Sequence, residues 1–217
     1  GCPVTAAMRT TLITLALARA WQPQLPQHQL SRHQLSEQLH KQAAARVASS
    51  EFAIAAAVAD DADAIAALNE VFVSFTSPMD SERFLALFAL SSFCLVAEDA
   101  NGLLGFVIAM KNGAPYDNGN YQWFEARVPD MVYVDRIVLA SEARGQGIGA
   151  KLYGYLAELA AGSDCHTMTA EMDIDPPNEH SVYFHKKSGF AEIGQRTLDS
   201  GKRVSMQSVA LTKLAAL

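Results

Sequence analysis

Cysteine is scarce in this chain, and what there is lies scattered: Cys2, Cys94 and Cys165. Three thiols with no close pair exclude a disulfide framework and a thiolate zinc site, so no metal is expected. They fit a reducing compartment, and a cytoplasmic location is the expectation. Cys94 and Cys165 stand in strand-like apolar runs and read as small buried hydrophobes. Long hydrophobic runs are missing too. No stretch approaches the roughly 18 uninterrupted apolar residues of a membrane span. The ATP-type run Gly-x-x-x-x-Gly-Lys-Ser/Thr is absent. Basic residues are outnumbered, 17 Lys and Arg against 23 Asp and Glu, for a net charge of −6. Residues 1–50 carry +4 and residues 51–217 carry −10. An acidic body argues against nucleic acid as the main ligand and suits a cationic one.

What is present divides the 217 residues into an extension, 1–50, and a domain, 51–217. Residues 11–20 are apolar enough for a signal-peptide core, and Ala18-Arg19-Ala20 resembles a cleavage site. The reading adopted is two helices, 4–20 and 31–48, joined by a segment with two prolines. Ser31 and Gln34 are spaced as a capping box, with Leu30 and Leu35 as a hydrophobic staple. Leu12, Leu15, Leu35 and Leu39 give these helices apolar residues to bury, which makes a cover for the domain or a homodimer contact the expectation.

Within the domain, periodicity predicts a strand over 52–58. Next comes a helix capped in 60–63, with Ile65, Leu68, Phe72 and Phe75 on one face. Pro78 breaks it, and a second helix spans 81–90. Strands 92–99 and 103–111 flank Asn101-Gly102, a hairpin signal. Residues 112–130 read as a long loop in which Tyr116, Asp117, Tyr121, Trp123, Phe124 and Glu125 mix aromatics with acids. They form either a pocket for a cationic amine or a loop packing its own rings. A fourth strand spans 131–140, a helix 145–161, a fifth strand 165–174 and a short helix 179–188. Strands 190–198 and 203–214 close the chain as a hairpin. This order makes an α/β fold with a mixed, mostly antiparallel sheet flanked by helices.

The most informative run is Arg144-Gly145-Gln146-Gly147-Ile148-Gly149-Ala150, between the fourth strand and its helix. A glycine-rich turn from strand into helix is an anion cradle. Backbone N–H groups converge, the helix dipole adds positive potential and glycine permits close approach. A dinucleotide fingerprint belongs in an early βαβ unit, and this turn lies late. Downstream lies Asn178-Glu179-His180-Ser181-Val182-Tyr183-Phe184-His185-Lys186-Lys187-Ser188-Gly189-Phe190. With Arg144-x-x-Gly147-x-Gly149 upstream of it, the pair resembles the two signature motifs of the GNAT N-acetyltransferase superfamily. The resemblance covers residues 52–214.

That resemblance implies acetyl transfer from acetyl-CoA to an amine, small molecule or peptide. The alternative is a non-catalytic acyl-CoA-binding sensor or scaffold. It implies splayed central strands, with a bulge in the fourth. Ile137, Val138 and Leu139 would border the pantetheine arm, and Leu139 N–H would serve as oxyanion donor. The N–H groups of residues 145–150 would hold the pyrophosphate, Arg144 would add charge at the start of the turn, and Asn178, Ser181 and Phe184 would complete the cofactor site. In the family a Tyr commonly protonates the leaving thiolate; His185 stands at that position here. The acid is therefore His185, Tyr183 or water, or none is needed. For the base, Asp135 shares the strand parity of Ile137 and Leu139, and Glu171 faces it across the splay. Either could instead be structural, Asp135 through a nearby Arg.

Overall fold

A computed structural model describes residues 52–215. The extension, with the two helices, capping box and staple expected there and with Cys2, lies outside the described residues.

Asp80 starts the clearest helix. Its carboxylate accepts from Arg83 N–H at 2.7 Å, and the helix Ser81–Leu90 (α2) buries Phe84 and Leu87, three residues apart. The helix before it, Ala62–Val71 (α1), follows a 3₁₀ turn over Ala59–Asp61. It ends short of the predicted apolar face: Phe72 is its C-cap and Phe75 lies beyond, 53% exposed. Strands Ala53–Ala56 (β1), Phe93–Asp99 (β2) and Gly102–Lys111 (β3) are antiparallel neighbours. The β2–β3 turn is held by Asp99, whose carboxylate accepts from the N–H groups of Asn101 and Gly102. Residues 93–97 and 105–110 are buried throughout rather than alternating. The sheet there is covered on both faces. Ile65, Phe84 and Leu87 pack with Phe106, Ile108 and Met110 in one core cluster. Each such side chain contributes about 1.5–3 kcal/mol on full burial.

The predicted loop 112–130 contains a short helix, Gly119–Glu125 (α3). Asn118 caps it, its side-chain oxygen accepting from the N–H groups of Asn120 and Tyr121. Tyr121 and Phe124, three apart, are core residues. Seven residues hold barely two turns, too few for a helical period to stand out.

Strand Met131–Leu139 (β4) leads through a 3₁₀ turn, Ser141–Ala143, into helix Ile148–Ala161 (α4). Strand Thr167–Asp175 (β5), helix Glu179–Lys187 (α5) and strands Ala191–Thr197 (β6) and Arg203–Ala210 (β7) follow. The final strand stops at Ala210, short of the predicted end, and Leu211–Leu214 (α6) turns helical, burying Leu211 and Leu214. The sheet order is β1-β2-β3-β4-β5-β7-β6.

The feature that positions the site is the β4–β5 junction, the parallel pair. These strands pair only at Met131↔Thr167, Val132↔Met168 and Tyr133↔Thr169. Beyond, β4 stays on β3 as far as Leu139↔Gly105, and β5 stays on β7 as far as Asp175↔Arg203. Each strand keeps its outer neighbour and loses the inner one, so a wedge opens. The β3–β4 register shifts between Ile108↔Arg136 and Ala109↔Val134. Asp135 is the extra residue, at the bulge expected in the fourth strand.

Candidate active site

The wedge is the head of a cavity of about 710 Å³, lined by residues 134–139 of β4, residues 170–173 of β5, the glycine turn and α5. Ala140 N–H donates to the Leu104 carbonyl at 2.9 Å. Antiparallel alternation therefore turns the Leu139 N–H away from β3, toward the open side.

At the turn, Gly145 and Gly147 have φ of +78° and +79°, and Gly147 is the N-cap of α4 with no side-chain cap. That leaves the first-turn N–H groups without a side-chain partner. A Cβ on either glycine would meet nothing within 4 Å. Backbone conformation is what calls for glycine at both places. Gly149 differs: its Cβ would lie 3.1 Å from Phe184 Cε2 and 3.2 Å from Leu139 Cδ1. Close packing of α4 on β4 and α5 calls for glycine there. Ile148 is buried and Ala150 half-buried at the cavity wall. The Arg144 guanidinium stacks 4.4 Å over the Phe72 ring, and Gln146 donates back to the Glu142 carbonyl.

Glu171 sits on β5 at the cavity. Its Oε1 accepts from Asn120 Nδ2 at 2.8 Å and from the Tyr133 hydroxyl at 3.0 Å. Its Oε2 is closed to bulk solvent and has no hydrogen-bond partner among the described residues. Burial pushes the carboxyl up to about 7; the Asn120 hydrogen bond works against that and the Asp135 charge adds to it.

Asp135 has the opposite surroundings. Its carboxylate binds Arg136 Nε at 2.7 Å and accepts from the Tyr116 hydroxyl at 2.5 Å, with its side chain 3% exposed. Arg136 is buried and donates onward to Asn69 Oδ1, the Ser77 carbonyl and Ser77 Oγ. Both Asp135 oxygens are engaged in a network that ties β4 to α1 and its following loop.

The second motif builds α5 more than it exposes donors. Asn178 is the N-cap, its side-chain oxygen accepting from Ser181 N–H at 3.1 Å. Phe184 packs on Tyr153 with ring centroids 5.2 Å apart. His185 is 3% exposed. Its Nδ1 lies 2.8 Å from the Ser181 carbonyl, with Ser181 Oγ at 3.3 Å, and its Nε2 lies 2.8 Å from the Tyr153 hydroxyl. A carbonyl only accepts, so Nδ1 carries the proton and Nε2 accepts from Tyr153. Burial pushes the imidazole down to about 4. The ring is neutral and its one N–H is engaged, which gives the sequence expectation of a proton donor here no geometric support. Tyr183 is 68% exposed at the cavity rim.

None of the six aromatic and acidic loop residues read as a possible cation pocket lines the cavity. Tyr116, Tyr121 and Phe124 are core, because the loop turns its rings inward. Asn118 and Asn120, between them in sequence, face the site instead. Sequence reasoning missed Asn120 and Tyr133, which lie in no motif and meet Glu171 only through contacts distant along the chain. The expected pairing of Asp135 with a nearby Arg is the contact with Arg136. Among the described residues no group of His, Cys, Asp and Glu could hold a metal, and no helix is long and apolar enough to cross a membrane.

Comparison with known proteins gives the family and the fold. The acetyltransferase (GNAT) family profile matches residues 62–190. Aminoglycoside N(6')-acetyltransferase type 1 of Klebsiella pneumoniae is 29% identical over 108 residues, 46% of this chain and 53% of the relative. The chain thus spans about half the length of the curated relatives it matches. Among solved structures, Ard1 from Thermoplasma volcanium aligns with a TM-score of 0.60 at 15% identity, over 74% of this chain and 98% of its own. The structure of yncA from Salmonella typhimurium with its cofactor acetyl-CoA aligns with a TM-score of 0.57 at 19% identity, over 75% and 95%.

Proposed function

The chain belongs to the acetyltransferase (GNAT) family, and from that premise we propose that it moves an acetyl group from acetyl-CoA to the amine of a small molecule or peptide, with Glu171 as the general base. The observation that carries this reading is one cavity holding an open strand wedge, an uncapped glycine-rich helix start and a buried carboxyl with one unpartnered oxygen. The residues fit acetyl-CoA. Residues 145–150 would hold its pyrophosphate through backbone N–H groups, and Ile137, Val138 and Leu139 would border the pantetheine. When bound, it supplies an activated thioester carbonyl.

An amine of the lysine type has a pKa of about 10 and must shed a proton before it can attack. Glu171 is the group able to take it. Its raised pKa, near 7, brings it closer to the amine's than an ordinary carboxylate, and Oε2 is the free acceptor, reached directly or through a water. Leu139 N–H, turned toward the wedge, would meet the negative charge that develops on the acyl oxygen. Asp135 would hold the bulge through Arg136 and Tyr116 rather than carry protons. The leaving thiolate would depart without His185, whose N–H is engaged.

One observation favours a second reading, an acyl-CoA-binding module without turnover: the position that matches the family's proton donor holds a buried, neutral histidine. The test is release of free CoA from acetyl-CoA over a broad amine panel, with mass detection of acetylated product. Product formation supports the enzyme. Tight acetyl-CoA binding with no product across the panel supports the module. Gly147→Asp should abolish acetyl-CoA binding while the domain stays folded; unchanged affinity would remove the turn from the site.

A further inference from the structure

We propose that Arg196 and Asn120 form a positioning relay that fixes the Asn120 amide, so that Glu171 has one oxygen bound and the other free for the acceptor. The inference rests on the acetyl-transfer reading above. An amide side chain has two unlike ends, an NH₂ that only donates and a carbonyl that only accepts. Asn120 Nδ2 donates to Glu171 Oε1 at 2.8 Å, and its Oδ1 accepts from Arg196 Nη1. A guanidinium has donors only, so an Asn between a carboxylate and an arginine is satisfied in a single orientation. Tyr133 donates to the same Oε1 at 3.0 Å. Two donors on Oε1 set the carboxyl plane and leave Oε2 as the unpartnered oxygen.

A second observation concerns how Arg196 is admitted. It reaches from β6, the outermost strand, onto the first turn of α3. A Cβ on Gly119 would lie 2.9 Å from Arg196 Nη2 and 3.2 Å from Nη1. Glycine there leaves room for the guanidinium to reach Asn120.

The charged and titratable groups facing Glu171 come from several elements. Tyr133 and Asp135 lie on β4, Tyr153 lies on α4, and Arg196 stands behind Asn120. Asp135 is held by Arg136, and burial raises both tyrosines further above their ordinary range. Asn120 is the neighbour whose hydrogen bond most strongly holds the Glu171 pKa down.

The test is a direct titration. The full chain, carrying ¹³C-labelled glutamate carboxyls assigned with Glu171→Gln, is followed by NMR against pH. Asn120→Ala and Arg196→Met should both move the Glu171 midpoint upward, and Arg196→Lys should return it toward wild type. With acetyl-CoA saturating and benzylamine as probe, kcat/KM should fall about ten- to a hundred-fold in both, as expected for a misplaced catalytic group, with the acetyl-CoA KM unchanged. Gly119→Ala guards against loss of fold. It improves helix propensity yet displaces the guanidinium, and should move the midpoint in the same direction. An unmoved midpoint in folded Asn120→Ala, or in both folded Arg196→Met and Gly119→Ala, overturns the relay. Because the titration needs no turnover, a shifted midpoint without product from any amine counts against the enzymatic reading and leaves the relay standing.

Discussion

Glu171 on β5 and His185 on α5 line one cavity, and burial pushes both toward their neutral forms. Their surroundings differ in one respect. The histidine has a partner on each nitrogen, the Ser181 carbonyl and the Tyr153 hydroxyl. The glutamate has two donors on one oxygen and none on the other. A buried polar atom left without a partner costs about 1–3 kcal/mol, so it persists where something else requires it. A displaced pKa is common to both groups; what separates them is an oxygen still available for a new hydrogen bond.

The largest effect that could break the comparison is chemical. Glu171→Gln should lower kcat by about 10²–10⁴-fold, the range for loss of a general base, with the fold intact. In the wild type, kcat/KM should rise with pH through about 7, and the variant should lack that limb. Equal losses in Glu171→Gln and His185→Ala, with both variants folded, would erase the distinction between the two groups.

Next comes stability against pH, where the two groups act in opposite directions. The Glu171 carboxyl is raised from 4.5 to about 7 on folding. Its contribution is complete below about 4.5 and is lost as pH rises through 7, on the order of 3 kcal/mol. Glu171→Gln should therefore melt higher than wild type at pH 8, and the gap should close in acid. His185 is lowered from 6.5 to about 4, so its contribution is present above 6.5 and is lost as pH falls toward 4. Melting curves across pH in both variants check the two signs.

A somewhat smaller loss is expected from His185→Ala at neutral pH. It strands the Tyr153 hydroxyl in the interior, at about 1–3 kcal/mol, while turnover changes little. The smallest effect belongs to Gly147 in the glycine turn. Gly147→Ala should cost about 1–2 kcal/mol through its left-handed backbone alone, with no pH dependence, since its Cβ would meet open space. Denaturant midpoints measure both.

Much of the fold was legible along the chain. The Asn101-Gly102 turn, the α2 boundaries and the glycine-rich start of α4 follow from local rules of hairpins, caps and anion cradles. Phe72 and Phe75 fall beyond the end of the first helix, because a helical period does not reveal where a C-terminus falls. The loop 112–130 hid α3, because Tyr121 and Phe124 alone cannot display a period. At Asp135 two-residue counting met a bulge, and the network with Tyr116 and Arg136 depends on that extra residue.

The sequence by itself determined the class of fold, the order of its elements and the two motifs that carry the family, since each depends on residues close together in the chain. Only the tertiary structure decided which titratable side chain at the cavity keeps an oxygen without a partner. Asn120, Tyr133, Glu171 and Arg196 come from four separate elements. Burial and hydrogen-bond satisfaction depend on which distant groups meet, and periodicity holds no information about that meeting. The same holds for His185. Its place in the motif is local, whereas its engagement by Tyr153, 32 residues away, exists only once α4 and α5 have packed.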